Sequence, residues 1–512
     1  MPRQQTSAEY RGFRTAGIRL TEDVLPDLES HRTEKLGDTL DAIHQFDKAH
    51  LVMLAEQELI GGSDAAAMLS ALRDMEKEGV SEVRFRVQGG MHSGEQFLIR
   101  TLGEEVGGRI HLGRSSGDLG AVGRRIATRD HLLGLVDAIN AFRAVLIELA
   151  PEYADVVMPG YTHTQNAQPT TFGHWMSMWS CVFERDVDRL LGCFGRVNVS
   201  SAGAGILAGS EFALDRERTS FLLGFDRPSP HTMDAILSHD AECLEAMAVL
   251  SIHTANLARL ADDLQLWFSS EFGFVDLPDR FCGTSSIMMQ KRNPYFCEAA
   301  KAVSEAAAGG MTTALMVEKG STGLPVAGRR LIESAQWTGF SGARRRLEEA
   351  VSVFRELTVD RDRMLAVVQR YWAQGADVAG ALVREKGLPW RSAHQIIGIV
   401  VRYTEERGIS PMETTVDLID EAAVEYFGSP VGLSPEALRT ALDPVENVRA
   451  RMLYGGPAPS ALRRELEEFA STLAKDVERC RLARDRVDEG ARELELAIDR
   501  ILDAHPGAGS AA

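Results

Sequence analysis

A polar stretch near the middle of the chain, GTSSIMMQKRNP (283–294), has the residue types that anion chemistry requires. It contains adjacent hydroxyls, two cations and an amide, namely Ser285, Ser286, Lys291, Arg292 and Asn293. The glycine and the small hydroxyl residues at its start favour a turn or loop over a helix interior. The composition therefore predicts a mobile loop able to bind an anion, although most polar loops carry no chemistry.

Two earlier stretches have the same character, so we number the three in chain order as polar segments. The first is GGRIHLGRSSGD (107–118), with Arg114 and Ser115, and the second is MPGYTHTQNAQPTTFGHW (158–175), with Thr162 and His163. Each is interrupted by glycine or proline and is rich in hydrogen-bond donors. Taken alone, His163 is better explained as a hydrogen-bonded structural histidine than as a catalyst.

Long helices are predicted to position these segments. Residues 119–150 have apolar side chains at three- and four-residue spacing without a proline, and similar long stretches run over 172–197, 235–268, 294–317 and 337–367. These stretches exceed the average helix of about 11–12 residues, and several are apolar on more than one face. Such helices are buried by other helices, so the pattern predicts a bundle, either completed by other subunits or formed as one large monomeric core.

Strand signals are sparse. SEVRFRVQG (81–89) alternates apolar and polar residues, which predicts a strand or an extended loop. GAGILAG (203–209) has the spacing GxGxxxG instead of GxGxxG and lacks the flanking strand and helix. We therefore reject a dinucleotide-binding site there.

Two breaks in the helical pattern divide the chain. One falls near Gly113–Gly117 and the other in YWAQGADVAG (371–380). They predict three domains: residues 1–114, residues 115–370 as a central helix bundle, and residues 371–512. The tail HPGAGSAA is expected to be disordered.

Composition limits the classes of partner. The net charge of -18 argues against a nucleic-acid surface but permits an anionic substrate, because a site responds to local charge. No run of about 18 apolar residues predicts a membrane span, and MPRQQTSAEYRGFR lacks a signal-peptide core. The six cysteines form no CxxC pair, which fits free thiols in the cytoplasm and argues against a zinc site.

Together the three polar segments resemble the signature regions of the fumarase/aspartase superfamily, specifically of its argininosuccinate lyase branch. The likeness spans roughly residues 35–470. It continues in NVSSAGAGILAGSEFALDRERTSFLLGFD (198–226), LARLADDLQLWFSSEFGFVDLPD (257–279), ALVREKGLPWRSAHQIIG (381–398) and VRARMLYGGPAPSAL (448–462).

This resemblance implies an all-α fold of three domains, in which four subunits build a twenty-helix core. Each active site would take one signature region from each of three subunits. The implied reaction releases fumarate by anti elimination of an amine or alcohol from a succinyl group. It implies a small dicarboxylate substrate and neither a metal nor a cofactor.

The resemblance also implies residue roles. Ser285 matches the base that removes a proton beside a carboxylate, and Lys291 with backbone N–H groups of the Gly-Thr-Ser turn would stabilise its alkoxide. Thr162 and His163 match residues that hold the second carboxylate and assist the leaving group, with His163 or water as proton donor. The remaining substrate-binding residues would be Arg114, Ser115, Ser286, Met288, Gln290 and Asn293.

The chain departs from the branch on the side of the leaving group. This chain has GRSSGD where the branch usually has GRSRND, so Ser116 stands in place of an arginine and Gly117 in place of an asparagine. In LPVAGRRLIESAQ (324–336), the residues that usually hold the arginine end are changed, at Gly328, Glu333 and Gln336. SHDA (238–241) replaces SDRD, and Met289 replaces a proline, which should soften the loop.

The expected function is therefore a carbon–nitrogen lyase that releases fumarate from an N-substituted aspartate, in either direction. Argininosuccinate is one candidate substrate, and a compound of the ethylenediamine-disuccinate or aminocarboxylate type is another. Two alternatives remain open. One is another reaction of the superfamily, of the adenylosuccinate, aspartase or fumarase type. The other is an inert structural homologue, as in lens crystallins.

Overall fold

Long helices make up most of the computed structural model, which describes residues 33–320, 322–323 and 328–507. The N-terminal helices are α1 (Thr39–Glu56), α2 (Gly62–Glu78), α3 (Val80–Val87), α4 (Ser93–Leu102) and α5 (Glu104–Gly107). The central helices are α6 (Ser116–Leu149), α7 (Phe172–Val197), α8 (Arg216–Leu222), α9 (Thr232–Leu237), α10 (Ala246–Phe268), α11 (Tyr295–Glu318) and α12 (Arg329–Glu356). The C-terminal helices are α13 (Arg361–Arg370), α14 (Gly375–Lys386), α15 (Trp390–Arg407), α16 (Val416–Phe427), α17 (Pro435–Leu442), α18 (Pro444–Ala450) and α19 (Pro459–Ala504).

The strands form three small two-stranded sheets. The pairs are β1 (Val157–Thr162) with β2 (Gln165–Thr171), antiparallel; β3 (Val199–Ser200) with β4 (Arg227–Pro228), parallel; and β5 (Val275–Asp276) with β6 (Thr358–Val359), antiparallel. The prediction of an all-α fold class is confirmed. None of the helices in the described ranges has the length and apolarity needed to cross a membrane.

The largest core lies inside the bundle of α6, α7, α10, α11 and α12. Aromatic rings from three helices fill the end of the bundle near the second polar segment. The indoles of Trp175 and Trp267 lie 4.7 Å apart between centroids, and Trp175 also stacks on Phe354. This packing fixes the start of α7, at the end of the second polar segment, and the end of α10, which precedes the third.

Two further hydrophobic clusters flank the bundle. One joins α1, α2 and α4, and the other joins α14 to α17. The 46-residue helix α19 contributes Leu462 and Leu466 to the central cluster and Leu494 and Ile498 to the N-terminal one. By its packing, α19 therefore belongs with the central and N-terminal clusters, although the sequence-based boundaries place it in the C-terminal domain, residues 371–512.

The prediction of a strand or loop over residues 81–89 is wrong for residues 81–87, which belong to helix α3. The alternation was misleading since Arg84 is completely buried. Val83, Arg84 and Val87 face inward at helical spacing. The charge of Arg84 is accommodated by an ion pair with Asp47.

The helices predicted over 119–150, 172–197 and 294–317 match α6, α7 and α11 within a few residues. The other two predicted helices are interrupted. Residues 235–268 divide at Ser238 into α9, a π-helical turn (Asp240–Glu245) and α10. Residues 337–367 divide at Leu357, where β6 intervenes and Asp360 caps α13. The end of the predicted disordered tail, 508–512, lies outside the described residues.

Candidate active site

The third polar segment is a loop closed at its base. The N–H of Gly283 donates to the carbonyl of Asn293 at 2.8 Å, and the N–H of Asn293 donates to the carbonyl of Gly283 at 2.9 Å. Residues between these two positions project outward, and Met289 at the tip is 93 % exposed. The loop is therefore pinned at both ends and free at its tip.

Ser285 has two backbone donors aimed at its hydroxyl. Its Oγ accepts from the N–H of Met288 at 3.0 Å and from that of Ile287 at 3.4 Å. Both donors follow Ser285 in the chain, whereas the resemblance led us to expect donors from the Gly-Thr-Ser turn. Two N–H dipoles directed at one oxygen stabilise negative charge there, which is what an alkoxide requires.

The neighbouring cations Lys291 and Arg292 differ in their surroundings. The Arg292 guanidinium lies 2.7 Å from Asp276 and 2.8 Å from Asp279, and it covers the ring of Phe268 at 5.5 Å. No carboxylate of the described residues forms an ion pair with Lys291, whose side chain is exposed. Arg292 thus anchors the loop, and the ammonium of Lys291 is left for a ligand.

A groove of about 1060 Å³ lies between this loop and the C-terminal end of α10. The loop contributes four of the predicted site residues to its lining, namely Met288, Gln290, Lys291 and Asn293. The hydroxyls of Ser285 and Ser286 are not part of this lining. Glu271 and Glu298 lie in the lining too, so the groove presents both a cation and carboxylates.

The second polar segment is a β-hairpin, which sequence reasoning treated as a loop. Thr162 pairs with Gln165, and the two residues between them, His163 and Thr164, have φ angles of 57° and 59°. Positive φ at both central positions defines a type I′ turn, which usually takes Asn-Gly. For a β-branched threonine this conformation is strained, and such strain is concentrated at functional sites. The turn exposes Thr162 and His163 at the tip.

The first polar segment is held by buried contacts. The Arg114 guanidinium lies 2.7 Å from Oδ1 of Asp47, and Arg84 lies 2.6 Å from the other oxygen, Oδ2. Burial alone raises the pKa of Asp47, but the two guanidiniums outweigh it and lower the pKa below its usual value. Arg114 is therefore committed to an ion pair in this structure. Nothing in the sequence pattern around Asp47 indicated this partner.

Ser115 and Asp118 begin helix α6. The Ser115 hydroxyl accepts from the N–H of Gly117 at 3.3 Å, and the Ser115 N–H donates to Asp118 at 2.7 Å, as in a capping box. Burial raises the pKa of Asp118 to about 6, and its Oδ2 has no hydrogen-bond partner. The predicted binding residue Ser115 thus also has a structural role.

Helix α6 separates the first segment from the second. Arg114 precedes its first turn, and the hairpin follows its last. Its 34 residues, at a rise of about 1.5 Å each, span about 50 Å. The second and third segments lie at the same end of the bundle, where Tyr161 packs 5.7 Å from Phe272 and Glu271 lines a groove beside each segment.

Comparison with known proteins agrees with this architecture. A lyase family model matches residues 33–309, and a model of the argininosuccinate lyase C-terminal region matches residues 372–449. An argininosuccinate lyase of Methanoculleus marisnigri is 36 % identical over 92 % of this chain and 94 % of its own length. That of Methanospirillum hungatei is 35 % identical over 96 % and 98 %. The chain belongs to this lyase family.

Solved structures give the same result for the lyase. An EDDS lyase in complex with formate superposes with a TM-score of 0.85 at 29 % identity, covering 93 % of this chain and 94 % of that one. A variant of EDDS lyase with bound fumarate superposes at 0.84 and 28 % identity, covering 94 % and 100 %. The predicted class of enzyme, a carbon–nitrogen lyase, is confirmed.

The residues that depart from the branch pattern make contacts within this lyase. Glu333 lies 3.3 Å from Arg124, and the amide of Gln336 donates to Thr128 at 3.0 Å and to the Glu242 carbonyl at 2.9 Å. A Cβ on Gly117 would lie 3.0 Å from the carbonyl of Gly205. Residues 324–327 of the same stretch lie outside the described residues.

The remaining departures from the branch pattern are in SHDA (238–241) and at Met289 in the third polar segment. His239 is buried, and its Nδ1 lies 2.7 Å from the carboxylate of Glu242. Met289, in place of proline, occupies the exposed tip of the third polar segment.

Proposed function

We propose that this lyase releases fumarate from an N-substituted L-aspartate by anti β-elimination, and that it also runs in reverse. The observation that carries the proposal is the Ser285 hydroxyl, held by two backbone N–H donors on a loop that also carries an unpaired ammonium. The relatives named argininosuccinate lyase and the EDDS lyase structure with bound fumarate support the same reaction.

The chemistry explains why those groups are needed. The proton lies on carbon beside a carboxylate and is weakly acidic. Its removal leaves a doubly negative aci-carboxylate, which must be stabilised by donors and cations fixed before the reaction. Ser285 removes this proton as an alkoxide. Lys291 stabilises both the alkoxide and the developing charge, because no carboxylate among the described residues neutralises it.

The other site residues bind the rest of the substrate. Thr162 and His163 hold the second carboxylate and assist the departing amine. Ser286, Met288, Gln290 and Asn293 line the succinyl part on the catalytic loop. Asn293 adds a donor without adding charge. Closure of the loop over the substrate excludes water.

We infer that the active unit is a homotetramer with shared active sites. Arg114 and Ser115 lie about 50 Å of helix away from Thr162 in the same chain, so a site that uses all of them needs segments from neighbouring subunits. Unpartnered apolar side chains on the bundle support this inference. Leu315 and Met316 of α11 and Ile252 of α10 are exposed on nearly uncharged helices. We also assign the enzyme to the cytoplasm, because its six cysteines are free thiols.

We infer that the amine differs from arginine. Positions 333 and 336 are engaged with Arg124 and Thr128 of their own chain, so their polar groups are not free to hold a guanidinium. A site that leaves such a group unpaired rejects it strongly. Carboxylates in the groove beside the catalytic loop favour an amine over a neutral alcohol. A diamine or amino acid of the aminocarboxylate type fits these features, and argininosuccinate is the second candidate because of the named relatives.

The test is to incubate purified protein with fumarate and each of a panel of amines, and to measure the consumption of fumarate as a decrease in its absorbance. Consumption with ethylenediamine or another amino compound supports the proposal, and consumption with arginine alone transfers it to argininosuccinate. No turnover in either direction contradicts it and favours the inert alternative. Ser285→Ala should abolish turnover with the fold intact, and Thr284→Ala, the neighbouring hydroxyl, should retain most of it. A near-full rate in Ser285→Ala would refute the assigned base.

A further inference from the structure

Three potential metal ligands converge in the N-terminal region, outside the residues assigned to the reaction. His92 ends a 3₁₀ turn, Glu95 lies in the first turn of α4, and His111 ends the 3₁₀ turn Gly108–His111. Oε2 of Glu95 lies 3.2 Å from Nδ1 of His92 and 3.1 Å from Nδ1 of His111. One ligand atom from each residue lies within 4.8 Å of the other two.

These spacings fit the edges of a coordination tetrahedron. Zinc–nitrogen and zinc–oxygen bonds of about 2.0–2.1 Å place neighbouring ligand atoms about 3.3–3.4 Å apart. The two observed contacts to Glu95 are 0.1 to 0.3 Å shorter than this, and the remaining pair of ligand atoms, one from each histidine, lies within 4.8 Å. His111 is the most exposed of the three, with 38 % of its side chain accessible, although its Nδ1 is itself buried.

The cluster is also electrostatically prepared for a cation. The side chains of Glu95 and His92 are only 12 % and 9 % exposed. A buried carboxylate would be screened only weakly from a bound divalent ion, so its charge would attract the ion strongly.

We propose that His92, Glu95 and His111 form a binding site for a divalent transition-metal ion of the zinc type, with water as a further ligand. Two imidazoles and one carboxylate suit zinc or cobalt, whereas magnesium and calcium prefer sites built from oxygen alone. The sequence argument against a zinc site considered cysteines, and it missed this set because three separate turns bring the ligands together.

The expected consequence of binding is structural. The carbonyl of His111 accepts from the N–H of Arg114 at 3.3 Å, and His50 contacts the carbonyl of Leu112 at 2.9 Å. An ion bound by His111 and by the start of α4 would therefore restrict the segment 111–114, which ends at Arg114. No step of the elimination depends on it.

The test uses untagged full-length protein, stripped with a chelator and titrated with Co²⁺ under visible spectroscopy, then with Zn²⁺ in competition. We expect one cobalt per chain and a higher melting temperature when it is bound. His111→Ala and Glu95→Gln should each weaken binding by at least about tenfold, because even loss of an outer partner costs about that much. The matched control His394→Ala removes an exposed histidine and should bind normally.

Either of two results would overturn the proposal. One is that the wild-type chain binds no stoichiometric metal while the variants have lower thermal stability. That result would show that the three residues form a structural His–Glu–His contact and no metal site. The other is unchanged binding in both variants. If His111→Ala fails to fold, the nearly isosteric Glu95→Gln decides the question alone.

Discussion

The carboxylate of Asp47 is predicted to be the main support of the first polar segment. It lies between two guanidiniums, at 2.6 Å from Arg84 and 2.7 Å from Arg114, and all three side chains are at most 1 % exposed. Asp47→Asn keeps the shape of the side chain but removes its charge. The substitution thereby leaves two buried cations without their shared counter-ion.

The expected cost follows from that burial. Removing one partner of a buried ion pair typically costs about 3–5 kcal/mol, because the remaining charge keeps its desolvation penalty. The free energy of unfolding of a domain is only about 5–15 kcal/mol, so the variant should unfold at a much lower urea concentration than the wild type. Arg114 should also lose its fixed position, so any fumarate-consuming activity should fall.

The pH dependence gives an independent check. The two guanidiniums lower the pKa of Asp47 in the folded state despite its burial. A carboxyl with a lowered pKa stabilises the fold above its unfolded pKa of about 3.9, and this contribution is lost as the pH falls through the folded value. The difference between wild type and Asp47→Asn should therefore be complete at pH 7 and shrink below about pH 4.

Urea unfolding at equal chain concentration measures the difference. Asp74→Asn is the matched control, because Asp74 also pairs with a cation, Lys77, at 2.8 Å but on the exposed surface. Its midpoint should not change measurably. A midpoint for Asp47→Asn within error of the control would refute the reasoning, since the buried carboxylate would then contribute no more than an exposed one.

Three further outcomes are expected. Thr164→Gly should raise thermal stability by up to about 1 kcal/mol, because glycine adopts the φ of 59° without strain, and a lower melting temperature would contradict this. Burial raises the pKa of Asp118 to about 6, so its ionisation opposes folding, and wild-type stability should fall as the pH rises from about 4, near the unfolded pKa, to about 6. Asp118→Asn should flatten that slope in urea titrations, and an unchanged slope would assign it elsewhere. Arg292→Ala should lower the rate of amine addition to fumarate by releasing the loop, with the circular dichroism spectrum retained, and Arg292→Lys should recover part of the rate; full activity of the alanine variant would contradict the anchor.

The helices were predictable wherever burial follows hydrophobicity. Residues 172–197 begin and end where the apolar period does, because α7 buries one continuous stripe. The prediction failed where a charge is buried, as at Arg84 in α3, since the sequence gives no sign of the distant Asp47. It also failed at Ser238 and Leu357, where the apolar pattern continues through a change of chain direction.

The site residues were predictable as types but not as partners. Ser285, Lys291 and Asn293 are recognisable in the third polar segment. The donors to Ser285 come from Ile287 and Met288, and no local pattern distinguishes those N–H groups from others. The hairpin turn at His163 was missed because His-Thr is a poor sequence for a type I′ turn. Its occurrence despite the strain is consistent with a functional constraint on that position.

The two adjacent cations of the third polar segment differ in what holds them. Arg292 is fixed by Asp276 and Asp279, and the backbone pair Gly283–Asn293 closes the loop one residue beyond it. The residues between these anchors have few contacts, and a methionine at 289 restricts the backbone of the exposed tip less than a proline would.

Ser285 lies two residues after Gly283, and Lys291 is adjacent to Arg292. Closure of the tip can therefore change the distance between hydroxyl and ammonium without moving the base of the loop. A lysine at 292 would lack the bidentate fork that engages two carboxylates, whereas an arginine at 291 would be more readily captured by Asp276 or Asp279. The order Lys-Arg thus gives the ion pairs to the residue nearer the helix and leaves an ammonium without a carboxylate partner among the described residues nearer the tip.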